Sequence, residues 1–168
     1  MDTIAFRPIG LIVTPFQEPQ GTPIQPGAAA GVAGHIQIFP EYQQGLQDLE
    51  GFSHIWLLYH FHLGKSFTPL VKPFLDDEVR GVFATRAPSR PNPIGLSLVR
   101  LVGIAGDTLH IEDVDILNGT PLLDIKPFVP EFDYRAEAQI GWLAKNLEKL
   151  NMARDDGRFS SKSPDGGS

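Results

Sequence analysis

Cysteine is absent from this chain of 168 residues. Its absence excludes disulfide bonds, thiolate zinc sites and a cysteine nucleophile, and it fits the reducing cytoplasm, which is the compartment we expect. Long apolar runs are missing too, since the longest, around Ile55 to Tyr59, is far too short to span a bilayer. The first residues lack a basic segment followed by an apolar one. We therefore expect neither a signal peptide nor a membrane partner.

Positive charge is scarce overall but locally concentrated. The chain has 14 Lys and Arg against 20 Asp and Glu, a net charge of −6, which argues against a general nucleic-acid binder. Residues 65–100 nevertheless contain six basic and three acidic residues, so this segment is net positive within an acidic chain. A locally basic face suits one specific anionic ligand better than indiscriminate binding to phosphates.

Proline and glycine are plentiful, with 15 and 17 residues, and they lie mostly in turns between short apolar runs. This pattern predicts seven to nine short strands in a mainly β domain over residues 1–132, with a barrel-like or strongly curved sheet. Strands are expected over 4–13, 35–39, 52–62, 80–85, 95–104 and from 109 onward. A short helix is expected over 41–50.

The end of the chain is predicted to be helical and then disordered. Asp133 is a candidate N-cap for a helix over 133–152, packed on the same domain. Its apolar stripe consists of Ala136, Ile140, Leu143, Leu147 and Leu150. Residues 153–168 are polar and rich in Ser and Gly, which predicts a disordered tail.

The prolines are densest between Arg80 and Ser97. Proline fixes φ and pushes the residue before it out of helical space. We therefore expect a stiff, extended loop over residues 89–93 that holds Arg86, Arg90 and Asn92 outward. Guanidinium groups on a rigid loop typically bind carboxylates or phosphates. The loop is predicted to be a binding site for an anion.

Three histidines share one face of the predicted central strand, namely His54, His60 and His62. Two histidines at this spacing can bind zinc together with a carboxylate. Because no third ligand lies close in the sequence, we expect no metal and interpret them as pocket histidines.

Six motifs occur in an order that resembles the TsaA-like family, also called TrmO or YaeB. They lie within about residues 4–130. They are Gly10 with Thr14-Pro15-Phe16, then Gln25-Pro26-Gly27, Phe52 to Trp56, Gly81 to Arg86, Arg90 to Gly95, and Asn118 to Pro127. The resemblance implies a single-sheeted β-barrel that binds S-adenosylmethionine and forms homodimers. It also implies methylation, at N6, of the threonylcarbamoyl-modified adenosine beside the anticodon of certain tRNAs.

The resemblance further implies which residues contact the cofactor. Arg86 suits its carboxylate and Asp115 its sulfonium. Matched to this sequence, the family's cofactor positions are Pro26, Gly27, Ala28, His62, Leu63, Arg86, Leu96, Glu112, Asp113, Val114 and Asp115.

The acceptor nitrogen carries a carbamoyl group and is a poor nucleophile, so catalysis calls for a proton acceptor or careful alignment. Asp124 and His60 are the candidates, and the sequence does not choose between them. Arg90, Asn92 and Lys126 remain for the substrate. Two alternatives stay open: a methyltransferase for a small molecule or a protein, and a non-catalytic module that binds S-adenosylmethionine.

Overall fold

A computed structural model describes residues 2–24, 26–146 and 154–160 of the chain. Most of its strands form one closed barrel, and all neighbouring strands in it are antiparallel. The strands are β1 (Gly10–Val13), β2 (Gly34–Ile38), β3 (His54–His60), β4 (Leu70–Val71), β5 (Arg80–Gly81), β6 (Ile94–Ala105), β7 (Thr108–Glu112) and β8 (Thr120–Pro127). The order around the barrel is β1-β2-β7-β6-β3-β8, and β4 and β5 form a separate two-stranded sheet. The predicted single-sheeted barrel is confirmed.

Alternation along the strands fills the barrel with branched aliphatic side chains. In β3, Ile55 and Leu57 are fully buried. Trp56 and Leu58, which alternate with them, are half-buried on the other face. The period of two places every second residue inside, as the hydrophobic effect requires of a barrel interior. The other core members include Ile12, Ile36, Val99, Leu109, Ile111 and Leu122.

Two predicted strands are shorter in the structure. The first begins at Gly10, because residues 2–9 form no strand and are mostly exposed. The strand expected over 80–85 ends after Gly81 and continues as a 3-10 helix, Val82–Ala84. In that helix Val82 is buried outside the barrel, in a small apolar cluster of its own. The prediction of a barrel strand at 80–85 is therefore wrong.

The early helix is present but is not one α-helix. It consists of two 3-10 helices, Pro40–Leu46 and Leu49–Gly51. Asp48 between them has a φ of 64°, in the left-handed region, which a continuous helix cannot contain. Another 3-10 helix, Pro26–Ala29, precedes β2.

The predicted helix over 133–152 is wrong wherever the structure describes it. A four-residue α-helix, α1 (Pro130–Asp133), ends where the prediction begins, and a 3-10 helix follows only at Gly141–Lys145. Ile140 of the proposed apolar stripe is 46% exposed, and a short isolated helix without a packed face is marginal in water. Leu147 and Leu150 lie outside the described residues.

The prediction of a disordered tail is also wrong for residues 154–160. Arg154 pairs with Pro23 and Ser160 with Gly64 in isolated β-bridges, and Phe159 is buried. The rest of the predicted tail lies outside the described residues. Within the described ranges, the structure contains no helix with the length and apolarity needed to cross a membrane.

Replacing Gly95 by alanine tests how closely Tyr59 packs against β6. A Cβ at position 95 would lie 2.1 Å from a carbon of the Tyr59 ring, and that ring is rigid and buried. We expect Gly95→Ala to lower the free energy of unfolding by about 1–3 kcal/mol, the usual cost of overpacking. Denaturation in urea measures it.

Gly103 in the same strand is the matched control, because a Cβ there meets nothing within 4 Å. Gly103→Ala is expected to change stability by less than about 0.5 kcal/mol. Equal losses in the two variants would contradict the packing described here.

Candidate functional site

A cavity of about 680 Å³ lies where one end of the barrel meets the loops around it. This volume is within the usual range for sites of small molecules and cofactors. Its walls come from the end of β3, the loop over residues 82–90, the start of β6 and the segment between β7 and β8. The polar and charged side chains that line it include Tyr59, His62, Arg86, Arg90, Asp115, Thr120 and Asp155.

A chain of hydrogen bonds connects the barrel core to this cavity. The Tyr59 hydroxyl lies 3.0 Å from Ser97 Oγ, and Ser97 Oγ donates to Asp115 Oδ1 over 2.7 Å. Tyr59 and Ser97 are both buried on inward faces of β3 and β6. Since the Ser97 proton goes to Asp115, the Tyr59 hydroxyl donates to Ser97. Both hydroxyl groups are thereby satisfied.

Burial raises the pKa of the two acidic groups at the ends of this series of hydrogen bonds, Tyr59 and Asp115. Desolvation raises the pKa of Asp115 to about 6, opposed by the hydrogen bond from Ser97 and by the positive charge of Arg86. Desolvation also raises the pKa of the Tyr59 phenol, and the nearby Asp115 charge raises it further. A carboxylate and a guanidinium therefore act on one another at the same cavity.

The two arginines of the proline-rich loop differ in what they contact. Both line the cavity, but the guanidinium of Arg90 also stabilises the loop itself. Arg90 Nη1 donates to the carbonyl oxygens of Val82, Thr85 and Ala87 over 3.1, 2.9 and 3.3 Å. Its guanidinium also lies 5.7 Å from the centre of the Phe83 ring. Arg86 is exposed and lines the cavity. Asn92, predicted to bind substrate, is exposed and is not among the lining residues.

His62 lies at the cavity wall, where its hydrogen-bond partner favours one tautomer. Its Nδ1 lies 3.4 Å from Thr120 Oγ1, and the Thr120 hydroxyl proton is already donated to the carbonyl oxygen of Leu117 over 2.7 Å. Thr120 therefore accepts from His62 Nδ1–H, which leaves Nε2 as the proton acceptor of the ring. Burial lowers the pKa of His62, and neighbouring His60 lowers it further, so the ring is neutral at physiological pH.

Six residues that the resemblance assigns to the cofactor are not among the residues that line the cavity, namely Pro26, Gly27, Ala28, Glu112, Asp113 and Val114. Glu112 forms an ion pair with Arg100 across β6 and β7. Asp113, with a φ of 63°, accepts from Gly31 N–H over 2.7 Å. That bond connects the chain just after the 3-10 helix Pro26–Ala29 to the segment that carries Asp115. Val114 is buried in the core. By contrast, Leu63 and Leu96 line the cavity.

The two candidates for proton acceptor lie elsewhere. Asp124 forms an ion pair of 2.8 Å with Lys126 and lines a separate, smaller groove with Tyr42 and Phe52. His60 ends β3 on the exposed face and is not among the cavity residues. No group of three or more potential metal ligands occurs among residues 2–24, 26–146 and 154–160.

The sequence analysis did not identify Tyr59, Thr120 and Asp155, which line the cavity, or Ser97, which donates to Asp115, as site residues. Tyr59 and Ser97 depend on the register of β3 against β6, in which Ser97 lies opposite Leu57 and Gly95 opposite Tyr59. No local pattern announces that register. Asp155 belongs to a segment whose composition is typical of a disordered tail, so its sequence carries no signal for a site.

Comparison with known proteins identifies relatives along most of the chain. The family model of the tRNA-methyltransferase O N-terminal domain matches residues 11–134. A probable S-adenosyl-L-methionine-binding protein of Pyrococcus abyssi is 60% identical over 158 residues, which cover 94% of this chain and 86% of that protein. The tRNA (adenine(37)-N6)-methyltransferase of Escherichia coli is 39% identical over 163 residues, which cover 91% of this chain and 69% of that protein.

A solved structure has the same fold. The crystal structure of TrmO superimposes with a TM-score of 0.72 at 42% identity, covering 83% of this chain and 64% of that chain. This chain thus spans slightly less than two thirds of the solved protein. The described barrel and the matched domain coincide over most of their length.

Asparagine at position 115 tests the burial of that carboxylate. The folded state binds the Asp115 proton more tightly than the unfolded chain does, since the pKa is about 6 when folded and 3.8 in the unperturbed group. The contribution of Asp115 to the free energy of unfolding of the wild type therefore falls as pH rises from about 4 through 6. Asp115→Asn accepts the same Ser97 bond without charging, so relative to wild type it gains about 2–3 kcal/mol between pH 4 and pH 7.

Chemical denaturation of both proteins at several pH values measures this difference. Carboxylates that are present in both proteins contribute equally and cancel. A stability difference that does not change with pH would contradict the burial of an ionisable Asp115.

Proposed function

The chain belongs to the family of the tRNA-methyltransferase O N-terminal domain, and we propose that it is an S-adenosylmethionine-dependent methyltransferase. The proposed substrate is the threonylcarbamoyl-modified adenosine beside the anticodon of tRNA, and the proposed reaction is methylation at N6. The observation that carries this proposal is the joint presence of Arg86 and the desolvated Asp115 on one cavity of ligand size.

The charges of this cavity fit the proposed cofactor. S-adenosylmethionine has one carboxylate, one sulfonium and one ammonium group. The guanidinium of Arg86 suits the carboxylate, with which it can form two parallel hydrogen bonds. The carboxylate of Asp115 suits a cationic centre, and a buried carboxylate attracts a cation more strongly than an exposed one does. Leu63 and Leu96 provide apolar walls.

When bound, this cofactor supplies a methyl group already activated for transfer. The protein then contributes positioning, charge complementarity and the removal of one proton from N6. We assign that proton to His62 Nε2, because His62 lines the cavity, is neutral and has Nδ1 engaged with Thr120. Asp124 and His60 lie outside the cavity and are not assigned this role.

The bound substrate needs positive charge nearby, because it has a carboxylate and belongs to a polyanion. Residues 65–100 are net positive, although Lys72 and Arg80 form ion pairs with acidic residues of the same segment. Asn92 and Lys126 are exposed and remain proposed contacts for more distant parts of the tRNA. We further propose a homodimer in the cytoplasm, as expected from the family resemblance and from the cysteine-free sequence. The proposed domain ends near residue 132.

One alternative has a specific observation in its favour. The Pyrococcus abyssi relative, at 60% identity, is named only for S-adenosylmethionine binding. A binding module without an acceptor would bind the cofactor and transfer nothing.

Methyl transfer to defined tRNA tests the proposed function. The purified protein is incubated with methyl-labelled S-adenosylmethionine and tRNA bearing threonylcarbamoyladenosine. We expect the label at N6 of that nucleoside, detected by mass spectrometry of the digested tRNA. The same tRNA without the threonylcarbamoyl group is the control and stays unlabelled at that position. Label in proteins or small molecules alone would overturn the tRNA assignment, and binding without transfer to any acceptor would indicate the binding module.

Glutamine in place of His62 tests the proton acceptor. Loss of a general base typically lowers the rate by about 100-fold or more, so we expect kcat of His62→Gln to fall by that factor, and by more than its affinity for S-adenosylhomocysteine falls. In wild type, the rate should fall with decreasing pH as His62 becomes protonated, at a pH below its ordinary pKa of 6.5.

His60→Gln is the matched control, since His60 lies two residues away but outside the cavity. It is expected to keep nearly the wild-type kcat at neutral pH, and its rate should begin to fall at a slightly higher pH, because the His60 charge no longer lowers the pKa of His62. A loss of kcat in His60→Gln equal to that in His62→Gln would refute the assignment.

A further inference from the structure

Residues 154–160, called the strap below, cross from one cavity wall to another. Asp155 accepts from Gly21 N–H through its backbone carbonyl over 2.7 Å, and its own N–H donates to the carbonyl of Thr22 over 2.8 Å. At the other end Lys65 N–H donates to the Phe159 carbonyl over 3.0 Å. The strap thereby joins the loop before the first 3-10 helix to the loop after β3.

Phe159 anchors the strap outside the barrel core. It is 7% exposed and shares a small apolar cluster with Val71, Val82 and Ala87. Its ring meets Phe74 edge-on at 5.1 Å between ring centres. Val82 and Ala87 belong to the loop that carries Arg86, so burial of Phe159 holds the strap directly against that loop.

Arg158 fixes the strap a second time. Its guanidinium donates to the carbonyl oxygens of Lys72 and Pro73, both over 3.3 Å, and lies over the Phe74 ring at 5.1 Å. Lys65 Nζ donates to the Arg158 carbonyl over 2.7 Å. These contacts of Arg158 fix the strap three residues after Asp155 and so help to hold the backbone that carries Asp155.

Asp155 brings a second carboxylate to the cavity. Among the residues that the structure describes, Asp115 and Asp155 are the acidic side chains that line it. Asp155 is partly buried, and its Oδ1 accepts from Gly157 N–H over 2.7 Å. Desolvation raises its pKa, so an approaching cation would relieve an unfavourable burial of charge.

The charges that line the cavity match the proposed cofactor group by group. Arg86 lines the cavity, and its guanidinium suits the ligand carboxylate. Asp115, within the electrostatic reach of Arg86, suits the sulfonium. The ammonium of the methionine part then requires a second anionic group.

We propose that Asp155 of the strap binds the ammonium group of S-adenosylmethionine, so that a segment downstream of the matched family domain completes the cofactor site. This proposal rests on the proposed cofactor of the preceding section. The strap is thus part of the binding site, and Phe159 and Arg158 are positioning residues for its carboxylate.

Three ligands that differ in their charged groups test the assignment by titration calorimetry. S-adenosylmethionine has the sulfonium and the ammonium, S-adenosylhomocysteine has the ammonium alone, and 5′-methylthioadenosine has neither. We expect Asp155→Asn to weaken the first two by the same factor, about 10- to 100-fold, the value of a charge-assisted hydrogen bond. Affinity for 5′-methylthioadenosine is expected to stay within about twofold.

Two variants serve as controls in the same experiment. Asp115→Asn should weaken S-adenosylmethionine more than S-adenosylhomocysteine, because only the former has the sulfonium. Asp77→Asn removes an exposed carboxylate paired with Lys72 and should leave all three affinities unchanged. Thermal unfolding of each variant verifies that it is folded, and Asp155→Ser provides a second neutral side chain should Asp155→Asn fail to fold.

The outcomes separate this proposal from the proposed function. Wild-type affinity of Asp155→Asn for S-adenosylhomocysteine would overturn the role of Asp155. Equal weakening of all three ligands would also overturn it, since the strap would then act only as a wall. If wild type binds none of the ligands, the proposed cofactor itself is wrong and the role of Asp155 falls with it.

Discussion

The hydrogen bond from Ser97 to Asp115 connects the interior of the barrel to the candidate site. It exists because Tyr59 lies flat against Gly95, where no larger residue fits, and because its buried hydroxyl must find a partner. That partner, Ser97, passes its own proton outward to Asp115. The acidic group of the cavity is therefore held by the register of β3 against β6. A rigid sheet positions a charge more precisely than a loop does.

The loops around the barrel supply the groups of opposite charge and are themselves held rigidly. Three carbonyl oxygens accept hydrogen bonds from Arg90, and Arg86 of the same loop lines the cavity. The strap, which packs against this loop through Phe159, is held by that buried phenylalanine and by Arg158. Methyl transfer from an activated donor requires a protein to hold charges of both signs in fixed positions. The cofactor supplies the reactive group, and the protein supplies the alignment.

Much of the fold and part of the site could be predicted from the sequence. Alternation in β3, β6 and β7 and the turns between strands indicated a barrel. The family resemblance implied that Arg86, His62, Leu96 and Asp115 belong to one site, and all four line the cavity. The role of Arg90 could not be predicted, because the sequence does not distinguish an arginine that donates to backbone carbonyls from one that binds a ligand. The strap was missed for a similar reason: Phe159 gains its burial from residues about 70–90 positions away, and no local pattern reports such a contact. The apolar spacing beyond Asp133 predicted a long helix, but within the described residues it yields only the 3-10 helix Gly141–Lys145.

A structure of the protein with S-adenosylhomocysteine tests the central claim most directly. We predict density for the ligand in the cavity between the loop of Arg86 and the strap, with its carboxylate at Arg86 and its ammonium at Asp155. Its sulfur should lie on the side of Asp115. A ligand found in the smaller groove beside Asp124, or in the cavity with its carboxylate turned away from Arg86, would contradict the site described here.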